Sequence, residues 1–256
     1  MLKKRLIGVI TVKDGWAVQS FGYERYLPLG RPEVLAENLD RWGADEILLQ
    51  CIDRSTGGLG PDLQLLERVA AGGLSTPLIY SGGIQSVEDA VAAVRAGADR
   101  VCVDALLHDD IAVASRLGGP LGAQAIIAAL PVSRADGEVA WFDYRSGKTS
   151  AFSTELLDLL KSGAVSEALI IDHRHEGNSA AFDPALVDLD FGLTLIAFGG
   201  ISEPEQIASL LQRDNVVAVG IGNFLNYREH AVQAYRSALD ALPLRDPIYD
   251  RPLAIS

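Results

Sequence analysis

Two short runs carry the first recognisable chemistry. Ser81-Gly82-Gly83-Ile84 and Phe198-Gly199-Gly200-Ile201 each follow an apolar stretch and precede an amphipathic one. Glycine has no Cβ, so the backbone at such a pair can approach an anion and point N–H groups at it. A strand, a Gly-Gly turn and a helix place those donors at a helix N-terminus, where the macrodipole favours phosphate. Gly222-Asn223 follow a further apolar run and complete the second of these sites. In the first site Asp104 stands where the companion loop meets the anion. A carboxylate there repels phosphate but accepts a hydroxyl or an amine. The plainer alternative is that both glycine pairs only make tight turns.

A second constellation is polar and acidic. Thr11, Lys13, Asp14, Asp53, Arg54, Asp104, Asp172, His173, His175 and Glu176 all lie where apolar runs end. Acids with a nearby base can act as general acid–base pairs, and Asp172, His175 and Glu176 form the densest group. The alternative is a set of solvated turns. A third constellation lies at the opposite ends of the runs, where Arg5, Glu46, Arg100 and Glu167 each open one. Two positive and two negative charges can pair there in a closed neutral ring, and a stability cluster is its ordinary meaning. No nucleophile elbow, Walker A loop, dinucleotide fingerprint or HExxH motif is present. Adjacent histidines in one loop do not converge on a metal by themselves, so no metal and no cofactor are expected.

The elements that must position these residues follow from the hydrophobic pattern. Eight apolar runs stand at Leu6–Thr11, Glu46–Cys51, Leu78–Ser81, Arg100–Asp104, Ala125–Leu130, Glu167–Ile171, Leu193–Phe198 and Val216–Ile221. They are rich in Val, Ile and Leu and do not alternate with polar residues, as expected of strands buried on both faces. Helical periodicity fills Pro32–Trp42, Leu63–Ala71, Val87–Ala96, Glu155–Ser162, Pro204–Leu211 and Tyr227–Leu242. It is weaker at Ile111–Leu117 and very short at Pro184–Val187. Eight β/α alternations predict an α/β fold, a (β/α)₈ TIM barrel, in preference to an open doubly wound sheet. An internal repeat supports closure. Residues 77–107 and 194–224 match, and so do the segments upstream, Asp53 to Asp62 and Asp172 to Pro184. Two similar half-barrels are expected. The chain reads as one domain, 1–256, with a small hairpin insertion near 131–150 and an extended proline-bearing tail from Leu242.

Composition narrows the function classes. The chain has 256 residues, 48% of them hydrophobic, and a net charge of −12 from 34 acids and 22 bases. Nucleic acid and anionic membrane therefore lack their usual electrostatic basis as partners. Cys51 and Cys102 both lie in apolar runs and suggest no disulfide framework, so a soluble protein of a reducing cytoplasm is expected. The basic start resembles a signal peptide, but its apolar run ends by Val12, too short for one.

The order and spacing of these motifs resemble a known family. The residues that carry the resemblance are Lys4-Arg5 to Gly15, Gly43 to Glu46, Ser81 to Ile84, Ala96 to Arg100 and Phe198 to Ile201. Over essentially the whole chain they are similar to the cyclase subunit of imidazole glycerol phosphate synthase, a HisF-like barrel. The resemblance implies a lyase or amidotransferase-type subunit. It also implies a HisH-like glutaminase docked on the N-terminal barrel face, and ammonia passing through the barrel. Arg5, Glu46, Arg100 and Glu167 match the family's ammonia gate. Gly82, Gly83, Asp104, Gly199, Gly200, Gly222 and Asn223 become the substrate and phosphate positions, with Glu176, Asp172 and Thr11 as catalytic candidates.

The departures are as informative. Thr11 and Leu130 match the positions of the family's two catalytic aspartates, Cys51 that of a further aspartate, and Gln19 that of a phosphate-gripping lysine. Threonine is a poor base and leucine transfers no proton. A divergent branch, resembling the barrel subunit that helps convert acetamido to acetamidino sugars in surface-polysaccharide biosynthesis, also lacks the first aspartate. Its expected substrate is a phosphorylated or nucleotide-linked sugar. Authentic histidine-pathway cyclisation and a non-catalytic phosphate-binding scaffold are the alternatives.

Overall fold

The apolar runs form strands because Val, Ile and Leu suit a pleat buried on both faces. In the computed structural model, which describes residues 3–135, 137–226 and 230–247, the chain begins with β1 (Arg5–Lys13), β2 (Trp16–Phe21), β3 (Arg25–Gly30), α1 (Pro32–Arg41) and β4 (Glu46–Cys51). It continues through α2 (Leu63–Ala71), β5 (Leu78–Ser81), α3 (Val87–Arg95), β6 (Arg100–Val103), α4 (Ala105–Asp109), α5 (Ile111–Arg116) and α6 (Gly118–Leu121). Then come β7 (Ile126–Ala135), β8 (Glu138–Asp143), β9 (Lys148–Ser150), α7 (Thr154–Lys161) and β10 (Glu167–Asp172). A 3-10 turn at Pro184–Val187 precedes β11 (Thr194–Phe198), α8 (Pro204–Leu211), β12 (Val216–Ile221) and α9 (Ala231–Ala238).

Eight parallel strands close on themselves in the order β10, β11, β12, β1, β4, β5, β6, β7, with β7 pairing back to β10. The fold is a (β/α)₈ barrel, as the alternation predicts. Helix starts follow the sequence: Asp62, Ser86 and Ser153 accept N–H bonds at the first turns of α2, α3 and α7, and prolines open α1 and α8. The last helix is shorter than its periodicity suggests, and Tyr227, where that pattern begins, lies outside the described residues, as does the tail beyond residue 247.

Period two sorts each strand into a lumen face and an outer face. Ile7, Val9, Leu48, Ile79, Cys102, Ile127, Leu169, Ile196 and Phe198 pack together inside the barrel. Leu6, Ile10, Leu49, Val101, Leu130 and Ile170 belong instead to the layer between strands and helices.

Two antiparallel hairpins depart from the plain barrel. β2 and β3 extend β1, and β8 and β9 extend β7, on the first and fifth barrel strands. The second is the insertion that the alternation of Glu138 to Phe142 predicts. The first is not anticipated by the sequence reading. It occupies the same place in the first half as the insertion does in the second, so the internal repeat extends to both hairpins.

Candidate functional site

At the N-terminal rim, strand register brings the four strand-opening charges to one level. Glu46 stands opposite Ile7, Arg100 opposite Ile79 and Glu167 opposite Ile127. Arg5 lies 3.0 Å from Glu46 and 2.5 Å from Glu167, and Arg100 lies 3.5 Å from Glu46 and 2.7 Å from Glu167. The ring therefore alternates in sign and closes. All four side chains are largely buried. Ser166 Oγ accepts a further hydrogen bond from Arg100 at 2.9 Å.

Above the ring the lumen is apolar. A narrow void there is lined by Ile7, Ile79, Cys102 and Leu169 among others. Cys102 also forms part of the floor of a cleft at the C-terminal mouth, about 200 Å³ and partly open to solvent. Three strands climb through all three levels: β6 with Arg100 in the ring, Cys102 in the apolar interior and Asp104, just past its end, in the cleft; β4 with Glu46, Leu48 and Gln50; and β10 with Glu167, Leu169 and Ile171.

The cleft lies over the first half of the barrel. Its walls include Gln50, Ser55, Ser81, Gly82, Gly83 and Asp104, with Tyr23 and Tyr26 from the first hairpin and Phe142 and Tyr144 from the second. Asp104 Oδ1 is buried without a hydrogen-bond partner among the described residues. Burial pushes its carboxyl up to about 8, with Arg145 opposing and Asp143 adding to the rise. His173 stacks on Phe142, rings 4.0 Å apart and 4° from parallel, and its Nε2 is also buried and unpartnered. Burial, with Arg174 and His175 nearby, brings that imidazole down to about 4, so it is neutral near pH 7.

The glycine pairs are held by close backbone packing. A Cβ on Gly83, φ +70°, would stand 2.1 Å from the carbonyl oxygen of Gly60, and one on Gly200, φ +76°, 2.7 Å from that of His175. In each half the pair lies under the loop that follows the preceding barrel strand, a pseudo-symmetric arrangement that accounts for the repeat. The Gly83 N–H donates to Ser55 Oγ at 3.0 Å. Around Gly222-Asn223 the first hairpin closes down. Asn223 Nδ2 donates to the Ser20 carbonyl at 2.5 Å, and the Ser20 N–H donates to Asn223 Oδ1 at 3.1 Å.

Glu176 anchors the same hairpin. Ser20 Oγ donates to its carboxylate at 2.9 Å and the Tyr23 N–H at 3.3 Å. Burial raises its carboxyl, partly offset by the Ser20 bond. Asp172 faces outward from β10 and is buried, accepting from the Asp183 N–H at 2.9 Å and lying 2.8 Å from His175 Nδ1. It and Glu176 thus shape the loop after β10, while Thr11 is buried at the lumen end of β1. Asp14, Asp53 and Arg54 brace neighbouring loops through the Asp14 N–H on Asp53 and Arg54 on the Gly60 carbonyl. Lys13 lies 4.3 Å from the Tyr26 ring. Among the described residues no three His, Cys, Asp or Glu side chains gather as a metal site, and no helix is long and apolar enough to cross a membrane.

One sequence expectation needs correction. Leu130 packs outward, and the lumen-facing residue at that level of β7 is Pro131. On β7 a one-residue shift along the strand changes the face. Cys51 packs in the outer layer and also touches the cleft, beside Gln50, which accepts from Tyr23 Oη at 3.2 Å. The sequence reading missed Tyr23, Tyr26, Gln50 and Tyr144. For the three tyrosines the signal was aromatic density outside the barrel strands, whereas Gln50 stood inside the apolar run Glu46–Cys51 and gave none.

A family model described as histidine biosynthesis protein matches residues 5–231. The chain is 30% identical over 245 residues to the imidazole glycerol phosphate synthase subunit HisF of Hyphomonas neptunium, covering 93% of this chain and 96% of that relative. It is 27% identical over 245 residues to a putative imidazole glycerol phosphate synthase subunit hisF2 of Vibrio vulnificus, at 93% and 89% coverage. It is also 27% identical over 251 residues to a HisF of an Exiguobacterium species, at 96% and 97%. With the barrel, its repeated halves and a match across nearly the whole chain, this protein belongs to the histidine biosynthesis protein family and is HisF-like within it.

Proposed function

We propose that the chain is a HisF-like synthase subunit that receives ammonia from a glutaminase partner on its N-terminal face. The ammonia is spent at the top-face cleft on amination or amidination of a phosphorylated or nucleotide-linked sugar in polysaccharide biosynthesis. The observation that carries this reading is the stack along β6, a closed charged ring below, an apolar lumen in the middle and the cleft above. Uncharged ammonia enters such a lumen without the desolvation penalty that an ion meets. Departure from histidine-pathway cyclisation is supported by Thr11 and Pro131, which leave no acid at the lumen ends of the first and fifth barrel strands. Gly199, Gly200, Gly222 and Asn223 are the positions for a phosphate, reached when the first hairpin lifts from Asn223.

The test is glutaminase turnover, measured for the glutaminase encoded beside this gene with and without the chain. A complex and a rise in turnover are expected; neither appearing overturns the reading. A second reading, an authentic imidazole glycerol phosphate synthase cyclase, is favoured by the names of the relatives. Growth of a histidine auxotroph lacking its own cyclase subunit, when supplied with this chain, would establish that reading over sugar amidination.

A further inference from the structure

The cleft wall has an unusual charge balance. Among the described residues Asp104 is its one acid, and no lysine or arginine lines it. The nearest guanidinium groups are already engaged: Arg54 donates to the carbonyls of Gly60 and Leu59, and Arg145 to Asp109 at 2.6 and 2.8 Å and to Asp143. Facing Asp104 are Arg145, Asp143 and Tyr144 from the second hairpin, Tyr23 from the first, and Cys102 from its own strand. Asp104 Oδ1 is buried and receives no donor from the described residues. A buried acceptor without a donor is costly, and a ligand bearing N–H groups removes the cost.

We propose that this cleft binds an organic cation, a protonated amine or amidine, paired with the Asp104 carboxylate and surrounded by the rings of Tyr23, Tyr26, Phe142 and Tyr144. Aromatic faces attract cations, most strongly where water is excluded. Inorganic phosphate is disfavoured, since it meets a carboxyl and no cationic partner. His173 Nε2 is a second unpartnered polar atom on the same wall, and its neutral ring does not compete for Asp104. The inference rests on the proposed amidination for the reaction class, because an amidine product is a cation at neutral pH.

Proton linkage sets the expected pH dependence. In the empty cleft burial keeps the Asp104 carboxyl protonated until about pH 8. A cation binds the ionised form and displaces that proton. Affinity therefore rises with pH up to about 8 and levels off above it, with about a tenfold loss per unit below.

The experiment is calorimetric titration of the full chain with benzamidinium, its neutral analogue benzamide, and inorganic phosphate, from pH 6 to 9. Benzamidinium is expected to bind at least about thirtyfold more tightly than either competitor at pH 8.5, and to release close to one proton per site at pH 7. Asp104→Asn abolishes the preference while circular dichroism shows the fold intact. The wild-type pH profile and the benzamidinium-to-benzamide ratio need no variant. Equal affinity for benzamide, tighter binding of phosphate, or a flat pH profile overturns the proposal. Binding is measured without glutaminase, so its failure alongside intact glutaminase stimulation sinks this inference alone. Cation binding without stimulation sinks the ammonia reading and leaves the site standing.

Discussion

Single positions separate what glycine does for the fold from what it offers a ligand. Gly83 and Gly200 sit at positive φ beneath backbone carbonyls, so their identity is explained by packing. Gly222 is different: the nearest atom to an added Cβ is Phe198 at 3.5 Å, and its φ is not in the left-handed region. Gly83→Ala is expected to destabilise the protein by about 2–5 kcal/mol, from backbone strain and overpacking together. Gly222→Ala is expected to change stability by less than about 0.5 kcal/mol. Urea denaturation measures both, and equal losses would contradict the distinction. Asp104 was legible from sequence as a poor phosphate neighbour that accepts an amine. Its orphaned oxygen was not, because isolation is a property of surroundings that come from six different segments.

At the level of elements, the eight barrel strands and most helices were readable, because unbroken Val/Ile/Leu runs and capped amphipathic segments report burial directly. The first hairpin was not, since Trp16–Phe21 and Arg25–Gly30 mix aromatic, polar and proline residues. Its position is fixed by remote partners, Glu176 and Asn223, more than 150 residues away. Replacing Ser20 and Asn223 together by alanine removes side-chain bonds worth roughly 1 kcal/mol each. Amide exchange across Trp16–Gly30 is then expected to quicken by about tenfold or more, with β4 to β6 unchanged. Uniform acceleration through the barrel would mean that the hairpin is part of the global fold and does not open separately.

Across the whole molecule, the two poles of the barrel hold opposite solutions to charge. At the bottom, two guanidinium and two carboxylate groups cancel in a closed ring. At the top, one oxygen of the Asp104 carboxyl has no partner among the described residues, and burial pushes that carboxyl up to about 8. Breaking a buried ion pair leaves an uncompensated charge, so Arg5→Ala is expected to cost about 3–5 kcal/mol. The loss should be nearly insensitive to added salt, since the ring is shielded from solvent. Denaturation at low and high ionic strength checks this, and a small salt-dependent loss would mark the ring as an ordinary surface cluster.

By itself the sequence determined the barrel, its duplicated halves, the four charges of the ring and the family, because these rest on local pattern and on order along the chain. Tertiary structure alone decided where the cleft opens and which side chains face it. Pro131 rather than Leu130 meets the lumen, Gln50 joins the cleft wall and bonds Tyr23, and Asp172 turns away from it. The physical reason is strand register. A one-residue offset sends a side chain to the opposite face, and only closure of the barrel, with its two hairpins folded over the mouth, selects the face that meets a ligand.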